Sequence, residues 1–246
     1  MKYLIVTVAG TATRFNCDTK EDTLKCLYFT DSPQYALITQ LLKNCGKYDK
    51  YIIVGGYLYE KLESFVSNEL SSYKDKIELV YNEHFNDYGS AYSLYKGIKA
   101  IKEPGEVTFV EGDLFFTPAT FKKVYDSSKN VITINSDPIY SNKAVALYIS
   151  ATDSLRYLYD TDHKTLTIPE PFKALFNSGQ MWKFISSERL LEVVDLLHIK
   201  QLQGTNLEII QAYCGDLNVD EYEIVLFKEW FNCNTVADYN VVRKKM

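Results

Sequence analysis

The chain opens on an apolar run from Tyr3 to Val8, rich in β-branched residues, that breaks into a Gly/Thr turn. Residues 51–54, 77–81, 107–110 and 131–134 are further short apolar runs bounded by turn residues, the mark of buried strands. Helical spacing fills the gaps. Asp31-Ser32-Pro33 predicts a helix start, with proline early, where its missing N–H costs little, and Gly46 beyond it as a left-handed cap. Leu58, Leu62, Phe65 and Val66 mark a second helix. Ala91, Leu94, Tyr95, Ile98 and Ile101 mark a third, closed by Pro104-Gly105, and Thr117-Pro118 begins a fourth.

Short apolar strands alternating with helices predict a three-layer α/β/α domain with a mixed, mostly parallel central sheet. Ligands of such sheets gather at the carboxyl ends of the strands. That rule brings the turn after Val8, Gly55-Gly56-Tyr57, Asn82 and Asp113 to one rim. After residue 140 the pattern changes. Residues 143–149 and 154–168 read as antiparallel strands joined by a turn at Asp162-His163-Lys164, and 181–185 reads as another strand. Helices are expected over 187–202 and 206–213, a strand over 223–227 and a closing helix from Val236. No repeat or linker divides the chain, so residues 1–246 are read as one domain extended by its second part.

Composition narrows the classes. The 246 residues are 46% hydrophobic and 24% charged, ordinary for a globular domain with a large core. A formal net charge of −5 argues against coating nucleic acid, which needs a basic face, yet leaves room for a small phosphate pocket. No run approaches the roughly 20 apolar residues of a membrane helix, and the opening run lacks a signal peptide's long apolar core. The five cysteines (Cys17, Cys26, Cys45, Cys214 and Cys233) form no C-x-x-C pair. They read as reduced thiols of a cytoplasmic protein.

Two constellations carry chemistry. Val8-Ala9-Gly10-Thr11-Ala12-Thr13-Arg14 is a small-residue turn after a strand, with Lys25 downstream. Such a turn lets backbone N–H groups approach phosphate oxygens, and Arg14 and Lys25 supply cations. It also reads as an ordinary connection after a buried strand. In Glu111-Gly112-Asp113 the two acids lie two apart and share a face, so they could flank Mg2+. A solvated strand end is the plainer alternative.

Taken in order, V-A-G-T-A-T-R-F, L-K-C-L, V-G-G-Y-L, Y-N-E-H-F-N-D-Y-G-S-A-Y-S-L, E-G-D-L-F-F and a late F-N-C-N-T-V-A-D-Y resemble the nucleotidyltransferases of the glycosyltransferase-A-like fold. Within them the chain is most similar to the bacterial CTP:phosphocholine cytidylyltransferase branch, which serves surface-polysaccharide decoration. The resemblance spans nearly the whole chain and is firmest over residues 1–116. It implies a nucleotide-binding half, 1–140, and an acceptor-binding half, 141–246. Residues Ala9 to Arg14 would hold the triphosphate of CTP and Lys25 would contact its phosphates. Gly55 and Gly56 would lie near base and ribose, with Asn82 and Ser90 near the cytosine. Asp113 matches the magnesium aspartate. Asn232 and Asn234 align with two acidic positions, the second of which helps bind metal. Two departures stand out: Ala12 replaces a glycine of the family turn, and Asn234 replaces a carboxylate.

The implied reaction is attack of a small phosphorylated acceptor on the α-phosphorus of CTP, transferring CMP and releasing pyrophosphate, with Lys25, Arg14 and Asp113 as the catalytic groups. A choline head group suits aromatic faces plus a carboxylate. Tyr92, Tyr148, Trp182, Tyr213 and Trp230, with Glu111 or Glu208, are the candidates, and core packing is the competing account of each ring. Phosphoglutamine, a phosphonate or a sugar 1-phosphate are alternative acceptors. A glycosyltransferase and a nucleotide-binding homologue without turnover are alternative functions. His84, His163 and His198 are scattered, Asp160, Asp162 and His163 suit a hydrated turn, and Arg243-Lys244-Lys245 suits a helix end.

Overall fold

A computed structural model of the chain describes residues 1–140, 145–158 and 165–246. The first four buried runs form parallel strands: β1 (Lys2–Thr7), β2 (Lys50–Gly55), β3 (Ile77–Tyr81) and β4 (Glu106–Glu111). They lie in the order β3-β2-β1-β4, with Val6 of β1 opposite Ile53 of β2 and Val110 of β4. Beyond β4 comes β9 (Phe172–Phe184), antiparallel, and then β6 (Asn130–Asn135) and β10 (Tyr222–Phe227), parallel to each other. The pair β7 (Ala146–Ser150) and β8 (Leu155–Leu158) continues the sheet from the other end of β9.

Alternation along the strands sorts side chains onto two faces. Leu4, Val6, Tyr51, Ile53, Val110 and Met181 pack beneath α2 (Leu37–Asn44), α3 (Tyr59–Glu69) and α5 (Pro118–Asp126). Tyr3, Ile5, Ile52, Val54, Phe109 and Trp182 pack beneath α4 (Ser90–Lys99), α6 (Ser187–Asp195) and α8 (Leu207–Cys214). This is the expected three-layer α/β/α arrangement. A smaller cluster of Phe15, Leu37, Phe115 and Tyr239 joins α1 (Thr13–Thr19) to the closing helix α9 (Val236–Arg243).

Several expectations are revised. Pro33–Tyr35 is a single 3-10 turn, and α2 begins only at Leu37. Gly46 does not adopt a left-handed conformation, because α2 ends on Cys45 with ordinary negative φ. The helix expected over 187–202 breaks at Leu196 into α6 and a short α7 (Ile199–Leu202), where His198 starts a new capping box. The strand expected over 154–168 is regular only over β8, its turn at 162–164 and the Asp160, Asp162 and His163 group lying outside the described residues. A two-stranded ribbon, β5 (Leu114–Phe116) with β11 (Trp230–Asn232), was not anticipated.

One contact docks the second part of the chain on the first. A Cβ at Gly89 would lie 2.0 Å from the carbonyl oxygen of Gly204, so the turn after α7 fits only against glycine here. Gly89 N–H donates to the Gln203 carbonyl at 3.0 Å and Ala91 N–H to that of Gly204 at 3.2 Å. Gly89→Ala is expected to cost about 1–3 kcal/mol through backbone displacement, read as a lowered Tm in thermal melts.

Candidate functional site

The carboxyl ends of β1, β2, β3 and β4 are held together by main-chain bonds that continue past the strands. Val8 N–H donates to Val54, Tyr57 N–H to Ala9, Asn82 N–H to Gly55 and Gly112 N–H to Thr7. These bonds shape a cleft of about 250 Å³. Of the anticipated residues, Val8, Ala9, Gly10, Ala12, Lys25, Asn82, Ser90, Glu111 and Asp113 line it. Phe85, Tyr88 and Ser93 line it as well. They sit among the Y-N-E-H-F-N-D-Y-G-S-A-Y-S-L residues, but nothing local marks them out from packing residues.

One end of the cleft is charged. Lys25 Nζ lies 2.6 Å from Asp113 Oδ2, and each side chain is 19% exposed. Asp113 Oδ1 is out of solvent and has no hydrogen-bond partner. Glu111 Oε1 accepts from Asn206 Nδ2 at 2.6 Å, a partner 95 residues away that sequence reading missed. Burial, reinforced by the Asp113 charge, pushes the Glu111 carboxyl up to about 7, with Asn206 and Lys25 opposing. Cys26 also lines the cleft, but burial pushes its thiol up to about 12, so it is protonated and no nucleophile at neutral pH.

The other end is neutral and aromatic. Asn82 is buried, its amide donating to Ser93 Oγ at 2.8 Å and accepting from His84 N–H at 2.8 Å. Ser90 Oγ accepts from Asn206 N–H at 2.9 Å, which ties the start of α4 to the start of α8. His84 faces Asp87 at 3.0 Å and stacks on Tyr88 with centroids 4.2 Å apart.

Ala12 takes up φ 51°, the left-handed region, directly before α1. The alanine therefore sits in the conformation that favours glycine, at a cost of about 1 kcal/mol. Asn234 Oδ1 accepts from Arg14 Nη2 at 2.9 Å, and Asn234 Nδ2 donates to Asn232 Oδ1 at 2.9 Å. Arg14 is exposed outside the cleft lining, as is Thr13, and neither Thr11 nor Asn234 lines it. The Asn234 amide oxygen expected to meet metal is thus engaged by a guanidinium. Cys233 N–H donates to the Asp113 carbonyl at 2.9 Å, so this network borders the charged end.

The glycines leave room for neighbouring side chains. A Cβ at Gly55 would lie 2.6 Å from Leu62, at Gly56 2.4 Å from Phe85, and at Gly112 2.2 Å from Val8. They permit protein–protein packing around the cleft, and Gly55 and Gly56 do not line it.

Of the acceptor candidates only Glu111 lines the cleft. Trp182 is 1% exposed, stacks on Phe109 at 5.5 Å and donates to Tyr157 OH at 2.6 Å. Tyr148 is buried and donates to Glu170 at 2.9 Å. Tyr213 is buried with its hydroxyl on Asn130, Trp230 donates to the Gly179 carbonyl, and Tyr92 donates to Glu83. Glu208 accepts from Gln201 at 3.4 Å outside the cleft lining. Trp182 and Tyr148 turn away because their strands lie within the sheet, and Tyr213 because its helix packs that face on the core.

The charged end suits Mg2+ by one test. Asp113 Oδ1 is an anionic oxygen held from water with no donor, which a cation would satisfy. Among the described residues no three or more His, Cys, Asp or Glu side chains converge as a metal cage. One or two carboxylates completed by substrate phosphates is the usual Mg2+ arrangement.

Comparison with known proteins bears on the fold. The model of a family described as "Domain of unknown function (DUF6564)" matches residues 21–246. No curated protein matches the sequence. Among solved structures, the inositol-1-phosphate CTP transferase of T. maritima is similar with a TM-score of 0.70 at 17% identity, covering 99% of this chain and 96% of the other. The CTP:phosphocholine cytidylyltransferase (LicC) of Streptococcus pneumoniae has a TM-score of 0.64 at 16% identity, covering 99% and 98%. A putative glucose-1-phosphate thymidylyltransferase of Bacillus anthracis has a TM-score of 0.71 at 15% identity, covering 100% and 96%. At these identities the likeness establishes a shared fold. No helix among the described residues is long and apolar enough to cross a membrane.

Two outcomes follow from this geometry. Ala12→Gly removes the left-handed strain and is expected to stabilise the protein by about 0.5–1 kcal/mol, measured by urea denaturation. Glu111 holds its proton more tightly folded than unfolded, so its contribution to stability is lost as pH rises from about 4.5 through about 7. Denaturation midpoints in metal-free buffer are expected to fall over that window, and Glu111→Gln to flatten the fall.

Proposed function

The chain belongs to the family described as "Domain of unknown function (DUF6564)", and from the charge pattern of its cleft we propose that it is a nucleotidyltransferase moving CMP from CTP onto a small phosphorylated acceptor with release of pyrophosphate. The observation that carries this reading is the Lys25–Asp113 pair, 2.6 Å apart, in the same cleft as the buried amide of Asn82 and the rings of Phe85 and Tyr88. A cation and a carboxylate suit a metal-bound triphosphate, and a neutral aromatic end suits a nucleobase. The backbone of the turn from Ala9 would meet the phosphates, with Ser90 and Asn82 toward the base.

An acceptor phosphate monoester has its second pKa near ~6 and is a dianion at neutral pH. It needs no general base, and Cys26 and His84 are given no part. Lys25 would neutralise charge that builds on the transferred phosphoryl group and on leaving pyrophosphate. Asp113 would hold the Mg2+ ion, which supplies further neutralisation of phosphate oxygens when bound. Arg14, steadied by Asn234, would stand at the rim as a second cation. The half from 141 onward would take the acceptor.

The burial of Trp182 and Tyr148 favours a second reading of the acceptor. Among the described residues, the rings lining the cleft are Phe85 and Tyr88, both at the Asn82 end. A quaternary ammonium would find no aromatic cage near Glu111 there, whereas a sugar or polyol phosphate needs only hydrogen bonds. Service in surface-polysaccharide decoration is compatible with either acceptor.

A panel of phosphocholine, sugar 1-phosphates, polyol phosphates and aminoalkyl phosphonates, each with CTP, UTP and dTTP and scored by pyrophosphate release, tests donor and acceptor together. Silence across the panel would leave nucleotide binding without turnover as the surviving account. Lys25→Ala and Asp113→Ala are each expected to lower kcat by about 10²-fold or more with unchanged far-UV circular dichroism. A near-wild-type rate in either variant removes that residue from the scheme.

A further inference from the structure

The charged end of the cleft holds a group that the proposed reaction must first undo. Lys25 Nζ sits on Asp113 Oδ2 at 2.6 Å, and both side chains are largely withdrawn from water. The remaining oxygen, Oδ1, has no partner. Lys25 starts the 3-10 turn Lys25–Leu27, whose Cys26 is buried in the α2/α3 core, and Asp113 is anchored through its carbonyl to Cys233 N–H. The two backbones are thus tethered, and the lysine's side chain is the longer and more adjustable of the two.

Separating such a pair is costly when either charge is left without a counterpart. A divalent cation arriving alone must share the carboxylate with an ammonium or strand Lys25. A triphosphate arriving alone satisfies Lys25 but strands the Asp113 carboxylate beside more negative charge. When both arrive, Lys25 moves onto phosphate oxygens and Asp113 onto the cation, and no charge is left alone.

We propose that the Lys25–Asp113 ion pair is a lock that excludes the free divalent cation and the free triphosphate separately and opens to the two together. The cleft then takes its metal as a metal–nucleoside triphosphate complex. This rests on the reading of the cleft as a triphosphate and cation site, and it adds the coupling between them.

The lock is tested with Mn2+ as the probe, by electron paramagnetic resonance and calorimetry on the full chain. Without nucleotide, wild-type protein is expected to bind Mn2+ weakly, and Lys25→Met to bind it about ten-fold or more tightly, the equivalent of roughly 1.4 kcal/mol. Asp113→Asn is expected to lose that gain in the double variant. In the wild type, which needs no substitution to fold, saturating α,β-methylene-CTP is expected to tighten Mn2+ at least about ten-fold, and Lys25→Met to shrink this coupling. Equal Mn2+ affinity of wild type and Lys25→Met, or no coupling in the wild type, overturns the lock. Should Lys25→Met tighten Mn2+ while no nucleotide binds either protein, the nucleotidyltransferase reading falls and the lock, left with nothing to open it, falls with it. Should nucleotide and Mn2+ bind the wild type independently, the reading stands and the lock falls.

Discussion

Strand β9 runs antiparallel between β4 and β6, and most of the architecture follows from that placement. Its pairing with β4 extends from Val107 opposite Phe184 to Val110 opposite Met181 and goes no further. Glu111 stays in register with Thr7 of β1 on the other side, and Gly112-Asp113 turns past the strand end into the cleft. Past that point β9 pairs with β7 through Ala146 and Asn177, carrying the second part of the chain across the sheet. The change of partner coincides with an irregular stretch in which Gln180 adopts φ 55°. One strand thus unites the two halves in a single sheet.

The cleft is divided by its electrostatics. At one end a lysine and two carboxyls crowd a space partly closed to water, and burial, helped by the Asp113 charge, raises the proton affinity of Glu111 against the pull of Asn206 and Lys25. At the other, a buried amide and hydroxyl bond each other between aromatic rings. Asn206 bridges the two, donating from its side chain to Glu111 and from its backbone to Ser90. A residue of the second half thereby stiffens a wall built almost wholly by the first. Close approaches at Gly56, Gly89 and Gly112 make the same wall dense, with Phe85, the Gly204 carbonyl and Val8 filling the space a Cβ would need.

Departures from the resembled pattern have physical consequences. The left-handed backbone at Ala12 keeps the turn's shape without the glycine that would adopt it at lower cost. The amide at Asn234 accepts from Arg14, so a cation occupies the neighbourhood where a carboxylate was expected to meet metal. Asp113 is left as the carboxylate with a free oxygen, and Lys25 partners its other one.

The sequence by itself determined the local elements: the apolar runs of β1, β2, β3, β4 and β6, the helical periods of α3 and α4, the proline-marked start of α5, and the rim that gathers the turn after Val8, Asn82 and Asp113. Those follow from burial at period 2 or 3.6, and from the rule that loops after parallel strands share one end. Only tertiary structure decided that Trp182 and Tyr148 are core, since a ring's surroundings depend on which distant strand lies beside it. It also decided the pairing of Lys25 with Asp113 across 88 residues, of Glu111 with Asn206 across 95 and of Arg14 with Asn234 across 220. No local pattern encodes such partners, because they are set by the order in which strands assemble, with β9 entering from late in the chain between two earlier ones.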